Sequence, residues 1–416
     1  MKTVLAFTLL LITSSIQAQS SWSILPNTPY DQGSRIEDVF FRDSLLGWCA
    51  SAHGRIYHTA DGGDSWALQF SNNFYFRSIE FLTDQIGIAG TLDQALMRTT
   101  DGGENWVNIA NQIDPVPPAI CGLHARDSQN IYAVGSWYGP AFLMHSSDAG
   151  ENWTVTDMSA YAEGLVDVYF VTADTGYVCG KGFTGGVILK TTDGGQNWTE
   201  QISTGTAGDY AWKIQRVTSD VWVSSIQTWA SPGKLLRSED NGSSWVALPT
   251  PLSQTQGIGF ANPDTGWIGG YQAGWYKTIN GGQNWEFELF GGNFNRFYFL
   301  NADFGYASGA RIYKYQFNPS SATPTPPAAF TSPFDFTLSP NPTRESTSIR
   351  FELDQTDNVY IGLYTPSGQQ IRRIFQGRLP QGEHNMPIQL ENLTPGNYMV
   401  GMQRNHGMVS KTLVVH

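Results

Sequence analysis

Apolar residues in this chain come in short runs broken by polar turns, and the same sentence is written several times. Val39-Phe-Phe-Arg-Asp-Ser-Leu-Leu-Gly-Trp48 passes from an apolar run through a polar turn into Gly-aromatic, and Ile79-Glu-Phe-Leu-Thr-Asp-Gln-Ile-Gly-Ile88 repeats it. It returns as Val168-Tyr-Phe-Val-Thr-Ala-Asp-Thr-Gly-Tyr177, Ile258-Gly-Phe-Ala-Asn-Pro-Asp-Thr-Gly-Trp267 and Phe297-Tyr-Phe-Leu-Asn-Ala-Asp-Phe-Gly-Tyr306. Looser versions surround Cys121 to Val134 and Ile214 to Ser224, which makes seven expected β-hairpins.

Between the hairpins lies a second repeat, a capped turn. Its copies are Asp61-Gly-Gly-Asp-Ser-Trp66, Asp101-Gly-Gly-Glu-Asn-Trp106, Asp148-Ala-Gly-Glu-Asn-Trp153, Asp193-Gly-Gly-Gln-Asn-Trp198, Asp240-Asn-Gly-Ser-Ser-Trp245 and Asn280-Gly-Gly-Gln-Asn-Trp285. Their first residues are 40, 47, 45, 47 and 40 apart, the period of a four-stranded unit stacked in a ring. The carboxylate accepts backbone N–H bonds two or three residues on, and the glycines take positive φ. A small hydroxyl stands two residues ahead in every copy: Thr59, Thr99, Ser146, Thr191, Ser238 and Thr278. Each closing Trp opens an outer strand, where its ring covers the apolar seam between sheets. The hexamers lack the dense carboxylates of a calcium loop.

Seven hairpins face six complete turns, and the mismatch predicts how the ring closes. The last unit ends at Arg311-Ile-Tyr-Lys-Tyr315 without a Trp strand, whereas Ser21-Trp22-Ser-Ile-Leu25 has no unit before it. The N-terminal strand, with Trp22, is expected to complete the last unit and remove the open sheet edges. The fold class is therefore all-β: a seven-bladed β-propeller over 20–317, then a small C-terminal β-sandwich.

The flanks set the expected itinerary. Lys2, the apolar run Val4 to Ile12 and Ser14-Ser-Ile-Gln-Ala18 read as a signal peptide over 1–18. No later stretch is long and apolar enough for a transmembrane helix. Residues 318–333 turn abruptly to Pro, Ser, Thr and Ala, the composition of a spacer. Residues 334–416 resume alternating strands around Ser348, Val359, Gln370, Met386, Asn397 and Met408.

Acidic residues outnumber basic ones by 12, and the tail holds seven of each, so the excess lies upstream. Nucleic acid is a disfavoured partner, since phosphate binding uses a basic patch. Cys49, Cys121 and Cys179 cannot all pair within one chain and read as structural thiols. His53, His58, His124 and His145 are scattered without ligand spacing, so neither metal nor cofactor is expected.

Two family resemblances follow from these motifs. Phe336-Thr-Leu-Ser-Pro-Asn-Pro342, Leu363-Tyr-Thr-Pro-Ser-Gly368, Leu379-Pro-Gln-Gly382, Leu393-Thr-Pro-Gly-Asn-Tyr398 and Lys411-Thr-Leu-Val-Val415 resemble the C-terminal sorting domain of the type IX secretion system of Bacteroidetes. That resemblance implies type IX secretion machinery as a partner, passage through the periplasm, and a final place outside the cell or on the outer-membrane surface. The propeller units resemble the photosystem II assembly-factor-like propellers, related to the Asp-box repeats of sialidases. This second resemblance implies a secreted scaffold used for binding.

Capped turns gather on one rim; the opposite face collects the connections between blades and between second and third strands. That face carries Tyr30, Phe74, Tyr75, Phe76, Arg77, Trp137, Tyr138, Tyr161, Phe183, Tyr210, Trp212, Trp229, Tyr271, Trp275 and Phe294. Rings on a rigid scaffold suit stacking on an extracellular glycan or anchoring a surface protein. Trp137, Tyr138, Trp229, Trp275, Arg77 and Arg296 are the candidate binding residues. The competing expectation is a glycoside hydrolase, which needs two carboxylates about 5–9.5 Å apart. Aligned on the shared Gly, Asp38 and Asp167 fall in one register with Arg296, and Glu37, Glu80 and Asp209 lie nearby. No sialidase arginine triad accompanies them.

Overall fold

The computed structural model describes residues 20–30, 35–229, 231–317, 335–365, 370–391, 393–404 and 407–416. The expected signal peptide at 1–18 and the spacer at 318–333 lie outside the described residues. Seven four-stranded antiparallel sheets make the propeller. We number the blades along the chain by their innermost strands, which are Ile36–Phe41, Phe76–Phe81, Gly122–Ala125, Gly164–Phe170, Tyr210–Arg216, Thr255–Phe260 and Arg296–Asn301. In blade 7 the outermost strand is Ser20–Ile24, antiparallel to Ile312–Phe317 with Trp22 opposite Tyr315. The ring thus closes by pairing its two ends.

The Phe-to-Gly spacing has a steric cause. The backbone of Gly47 lies flat under the Phe41 ring, and a Cβ there would come within 2.5 Å of it. Gly87 under Phe81, Gly176 under Phe170, Gly266 under Phe260 and Gly305 under Phe299 repeat the contact. The ring's other face takes the aromatic residue of the preceding blade: Tyr306 stacks on Phe41 at 3.4 Å, Trp48 on Phe81 and Tyr132 on Phe170 at 3.6 Å each. Phe41, Phe81 and Phe170 are thus held between a glycine of their own blade and an aromatic ring of the neighbour, whereas Phe260 takes the Arg237 guanidinium of the preceding blade. Blades 3 and 5, which lack the Phe–Gly pair, are those whose repeat was loose in sequence.

The capped turn is built slightly differently from its expectation. The Thr59 hydroxyl accepts the N–H of Gly63 and donates to Asp61 Oδ1, while Asp61 itself accepts the N–H of Ser65, four residues on. The same geometry recurs at Asp101, Asp148, Asp193 and Asp240, and Asn280 keeps it through Oδ1. Hydrogen bonds from the following side chain, the backbone and the preceding hydroxyl pull the carboxyls of Asp61, Asp101, Asp193 and Asp240 down to about 2. The first glycine position has φ near +73° in four copies, and Ala149 and Asn241 occupy it at +59° and +56°. Trp66 donates its Nε1–H to Gly63 O and packs beside Phe41 and Tyr306, on the seam with blade 7. Trp22 covers the seam between blades 6 and 7 in the same sense, against Trp267, Trp275 and Phe297.

The C-terminal module stacks a three-stranded sheet (Phe336–Ser339, Ser346–Leu353, Gly382–Gln389) on a four-stranded one (Gln370–Leu379, Asp357–Tyr364, Gly396–Arg404, Gly407–Val415). Alternate residues such as Ile349, Phe351, Leu353, Val359, Ile361, Leu363, Val400 and Leu413 fill the sandwich. Phe336–Ser339, expected only as part of a motif, is a strand in its own right. Among the described residues no helix is long and apolar enough to cross a membrane.

Candidate binding site at the aromatic mouth

Both ends of the central channel are furnished by a repeated defect in the innermost strands. Pairing with the second strand skips one residue at Glu37, Arg77, Val166, Trp212 and Gln256. A bulge re-aims side chains and breaks strict alternation, so two successive residues can both serve the channel. The skipped residues Arg77, Trp212 and Gln256 line a cavity of about 680 Å³ at one mouth. Asp167, which follows Val166, and Lys213, which follows Trp212, line a cavity of about 570 Å³ at the other, together with Arg296.

The first mouth is aromatic. Trp137, Tyr210, Trp212, Trp229 and Tyr271 surround the cavity, with Arg35, Tyr75, Arg77, Gln227, Gln254 and Gln256 between them. Trp229 is 83% exposed, Tyr271 58% and Trp137 38%. Trp137 stands edge-on to Tyr138 and Tyr210, and Tyr210 edge-on to Trp212, forming a continuous ring path. The glutamines are locked to one another: Gln227 donates to Gln254 Oε1 (2.9 Å), Gln254 to Thr228 O (2.6 Å) and Gln256 to the Tyr271 hydroxyl (2.7 Å).

Below them Glu37 is fully buried and accepts from Arg35 Nε at 2.5 Å, from Arg77 Nη1 and from the Tyr75 hydroxyl. Burial alone would raise its pKa, but Arg77 and Arg35 overcome that and hold it below the ordinary carboxylate value. Burial and the Glu37 charge push the Tyr75 phenol up to about 12. Arg77 is 3% exposed, its guanidinium lies 5.2 Å from the Trp212 ring centre, and its Nη2 has no hydrogen-bond partner among the described residues. Trp212 Nε1 is likewise unpartnered.

The second mouth is charged, and among the described residues Arg296 Nε and Arg216 Nε there have no hydrogen-bond partner. Arg296 lies within 3.4 Å of Asp38, 3.8 Å of Asp167 and 3.9 Å of Glu80. Asp38 also accepts the N–H groups of Val39 and Ile79, and Asp167 that of Ile214, so each ties its own blade to the next. Burial and its carboxylate neighbours push Glu80 up to about 8. Burial lowers Lys213 and takes His124 down to about 4. Arg296 is raised: burial opposes its charge, but Asp38, Asp167 and Glu80 outweigh it.

Several expected site residues move accordingly. Trp275 is 1% exposed, packed on Trp22, Phe290 and Phe294, with its Nε1 on Glu288, so it is a seam residue and leaves the binding set. Arg296 belongs to the charged mouth rather than the aromatic one. Tyr138 is exposed beside Trp137 without lining the cavity. Phe76 and Phe294 are core residues. Asp38 and Asp167 come together around Arg296 as expected from register, but as inter-blade braces, which lends no support to carboxylate catalysis. Trp212, Tyr210 and the glutamines were the site residues least visible as a set, because the bulge places Trp212 and no sequence motif marks it. The three cysteines are buried and unpaired, and burial raises each thiol.

Comparison with known proteins agrees with this architecture. Residues 15–139 match the model of the photosynthesis system II assembly factor YCF48, and 337–416 that of the secretion system C-terminal sorting domain. The photosystem II assembly lipoprotein Ycf48 of a Synechococcus strain is 28% identical over 302 residues, 66% of this chain and 82% of that protein. Solved structures of YCF48 bound to a D1 peptide and of YCF48 from Cyanidioschyzon merolae superpose with TM-scores of 0.55 and 0.57 at 18% identity. They cover 73% and 72% of this chain and 99% of each of theirs, which speaks to the fold alone. The chain is thus a β-propeller resembling the photosystem II assembly factor YCF48, joined to a type IX secretion C-terminal sorting domain that marks it for export to the cell surface or beyond.

Proposed function

We propose that the exported propeller is a non-catalytic binding or adhesion module that captures an extracellular glycan or surface protein at its aromatic mouth. The observation that carries this reading is the gathering of Trp137, Trp229 and Tyr271, all substantially exposed, around one cavity floored by Trp212 and Arg77. Large rings left in solvent on a rigid frame bury little of their apolar surface in the fold, so they point to a partner surface. The YCF48 structure with a D1 peptide belongs to another protein, yet it makes a polypeptide a reasonable member of the partner set.

In this reading residues 1–18 serve as an export signal, 318–333 as a spacer and 334–416 as a detachable address, with the mature protein released or retained on the outer-membrane surface. The test is a binding array of extracellular polysaccharides and surface proteins, run with the mature chain and with a Trp137→Ala/Trp229→Ala double variant. Each hot-spot ring is worth about 1–2 kcal/mol, so at least about tenfold loss is expected with a cooperative melt retained. A double variant that binds like the parent would refute the site.

A further inference from the structure

We infer that the aromatic mouth holds an uncharged linear polysaccharide, a β-1,4-linked glucan or xylan chain laid across blades 3 to 6. This rests on the proposed binding role and goes further by naming the ligand's charge, chemistry and length.

The rings trace a path longer than the cavity. The connection between second and third strands carries an exposed aromatic residue in four successive blades: Trp137 in blade 3, Phe183 in blade 4, Trp229 in blade 5 and Tyr271 in blade 6. The matching connections of blades 7, 1 and 2 are Gly309-Ala310-Arg311, Ala52-His53-Gly54 and Leu92-Asp93-Gln94-Ala95, with no Trp, Tyr or Phe among them. Phe183 stands outside the cavity that the other three rings line. Such an arc fits a polymer that meets one ring after another better than a small molecule enclosed in one pocket.

Charge narrows the class. Among the described residues lining the cavity only Arg35 and Arg77 are charged, and both are buried and bonded to Glu37. Each guanidinium lies against a ring of the mouth, Arg35 at 5.1 Å from the Tyr271 centre and Arg77 at 5.2 Å from that of Trp212. These arginines already fill the cation–π positions behind two rings, and their charge repels a cationic ligand. Beside Tyr210, Lys181 is paired with Glu163 at 2.6 Å, and Asp209 with Lys234 at 2.8 Å. An acidic polymer finds little of the two arginines exposed, and meets a propeller with an excess of acidic residues.

The polar edge suits hydroxyls. Gln227 and Gln254 line the cavity half-buried. Gln227 gives one N–H to Gln254 Oε1 and accepts from Gln256 at its own Oε1, while Gln254 gives one N–H to Thr228 O. Each amide keeps one N–H and one oxygen lone pair, and the Tyr271 hydroxyl, which accepts from Gln256, keeps its proton to donate. Fixed donors and acceptors side by side match sugar hydroxyls, which do both; a proline-rich peptide brings acceptors alone. Pyranoses with equatorial substituents also present flat C–H faces, which lie on exposed aromatic rings.

Titration calorimetry on the mature full chain tests this with cellohexaose, xylohexaose and cellotriose, against hexagalacturonate, a chitosan hexamer and a proline-rich peptide. One of the neutral hexamers should bind at least about tenfold more tightly than cellotriose, with affinity insensitive to salt. Phe183→Ala should weaken that hexamer at least about threefold and leave cellotriose unaffected, whereas Trp229→Ala should weaken both. Because the Phe183 ring is exposed, its variant is expected to keep the parent's melt. Failure of both neutral hexamers to bind, tighter binding of the acidic or cationic hexamer or of the peptide, or a folded Phe183→Ala variant that binds the hexamer like the parent, each overturns the inference while leaving a binding mouth in place. Insensitivity of every ligand to Trp137→Ala/Trp229→Ala would instead remove the binding role itself.

Discussion

The two mouths of one channel are made from adjacent residues of the same strands, yet they have opposite character. At the charged mouth Arg296 meets three carboxylates, and two of these carboxylates also accept backbone N–H groups across blade seams. At the aromatic mouth the rings of Trp229, Tyr271 and Trp137 stand in solvent. The difference teaches how to separate structure from function in a ring of repeats. Carboxylates bonded across a blade seam hold the ring together; rings left standing in solvent await something from outside.

The largest effect should come from breaking a brace. Asp38→Ala removes the acceptor of the Val39 N–H in its own strand and of the Ile79 N–H in the next blade, and one counter-charge of Arg296. Truncating one partner of a buried charged network costs about 3–5 kcal/mol, so denaturant midpoints should fall sharply. If the comparison is sound, the fraction still folded keeps its ligand affinity within about twofold. A stable Asp38→Ala variant that loses binding would reverse the roles of the mouths.

Next in size is the opposite perturbation. Trp137→Ala/Trp229→Ala should cost at least about tenfold in affinity and only about 1 kcal/mol in stability, because Trp229 is largely exposed and Trp137 gives up edge contacts with Tyr138 and Tyr210. Paired binding and melting measurements on the same preparation check both halves.

The charged mouth also predicts a pH dependence. The Glu80 carboxyl, ordinarily near 4.5, is pushed up to about 8 by burial in the folded ring, so folding favours its neutral form. Its contribution is complete below the ordinary value and is lost as pH rises through about 8. Glu80→Gln keeps a neutral group at every pH. The variant should match the parent near pH 4.5 and exceed it by about 1–2 kcal/mol near pH 9, read from thermal melts at the two pH values.

How much of this was legible in the sequence depends on how local its cause is. The capped turns were visible because Thr59, Asp61, Gly63 and Trp66 settle their geometry within eight residues. Ring closure was visible because seven hairpins and six Trp turns leave one strand to find. The bulges were not: an extra residue at Glu37, Arg77 or Trp212 leaves no mark on an apolar strand, and it alone decides which mouth a side chain serves. Trp275 was misread for a related reason. Gly274 at φ +78° looks like a loop signal, yet it lies inside the strand Ala273–Thr278 and the ring turns into the seam beside Trp22.

The smallest expected effect lies on the rim, far from either mouth. Ala149 sits at φ +59° where four other copies carry glycine. Ala149→Gly should relieve left-handed strain and raise stability by about 0.5–1 kcal/mol, with ligand affinity unchanged, measured by chemical denaturation and titration.

The most direct test of the contrast between the mouths is difference hydrogen exchange on the mature chain, with and without a saturating amount of the tightest polymer from the binding array. The account predicts slowed exchange around Tyr75–Arg77, Trp137, Tyr210–Trp212, Trp229 and Tyr271, with the strands bearing Asp38, Glu80, His124 and Asp167 unchanged at their charged end. Protection centred on Arg42, His124, Arg126 and Arg296, with the aromatic loops unaffected, would contradict it.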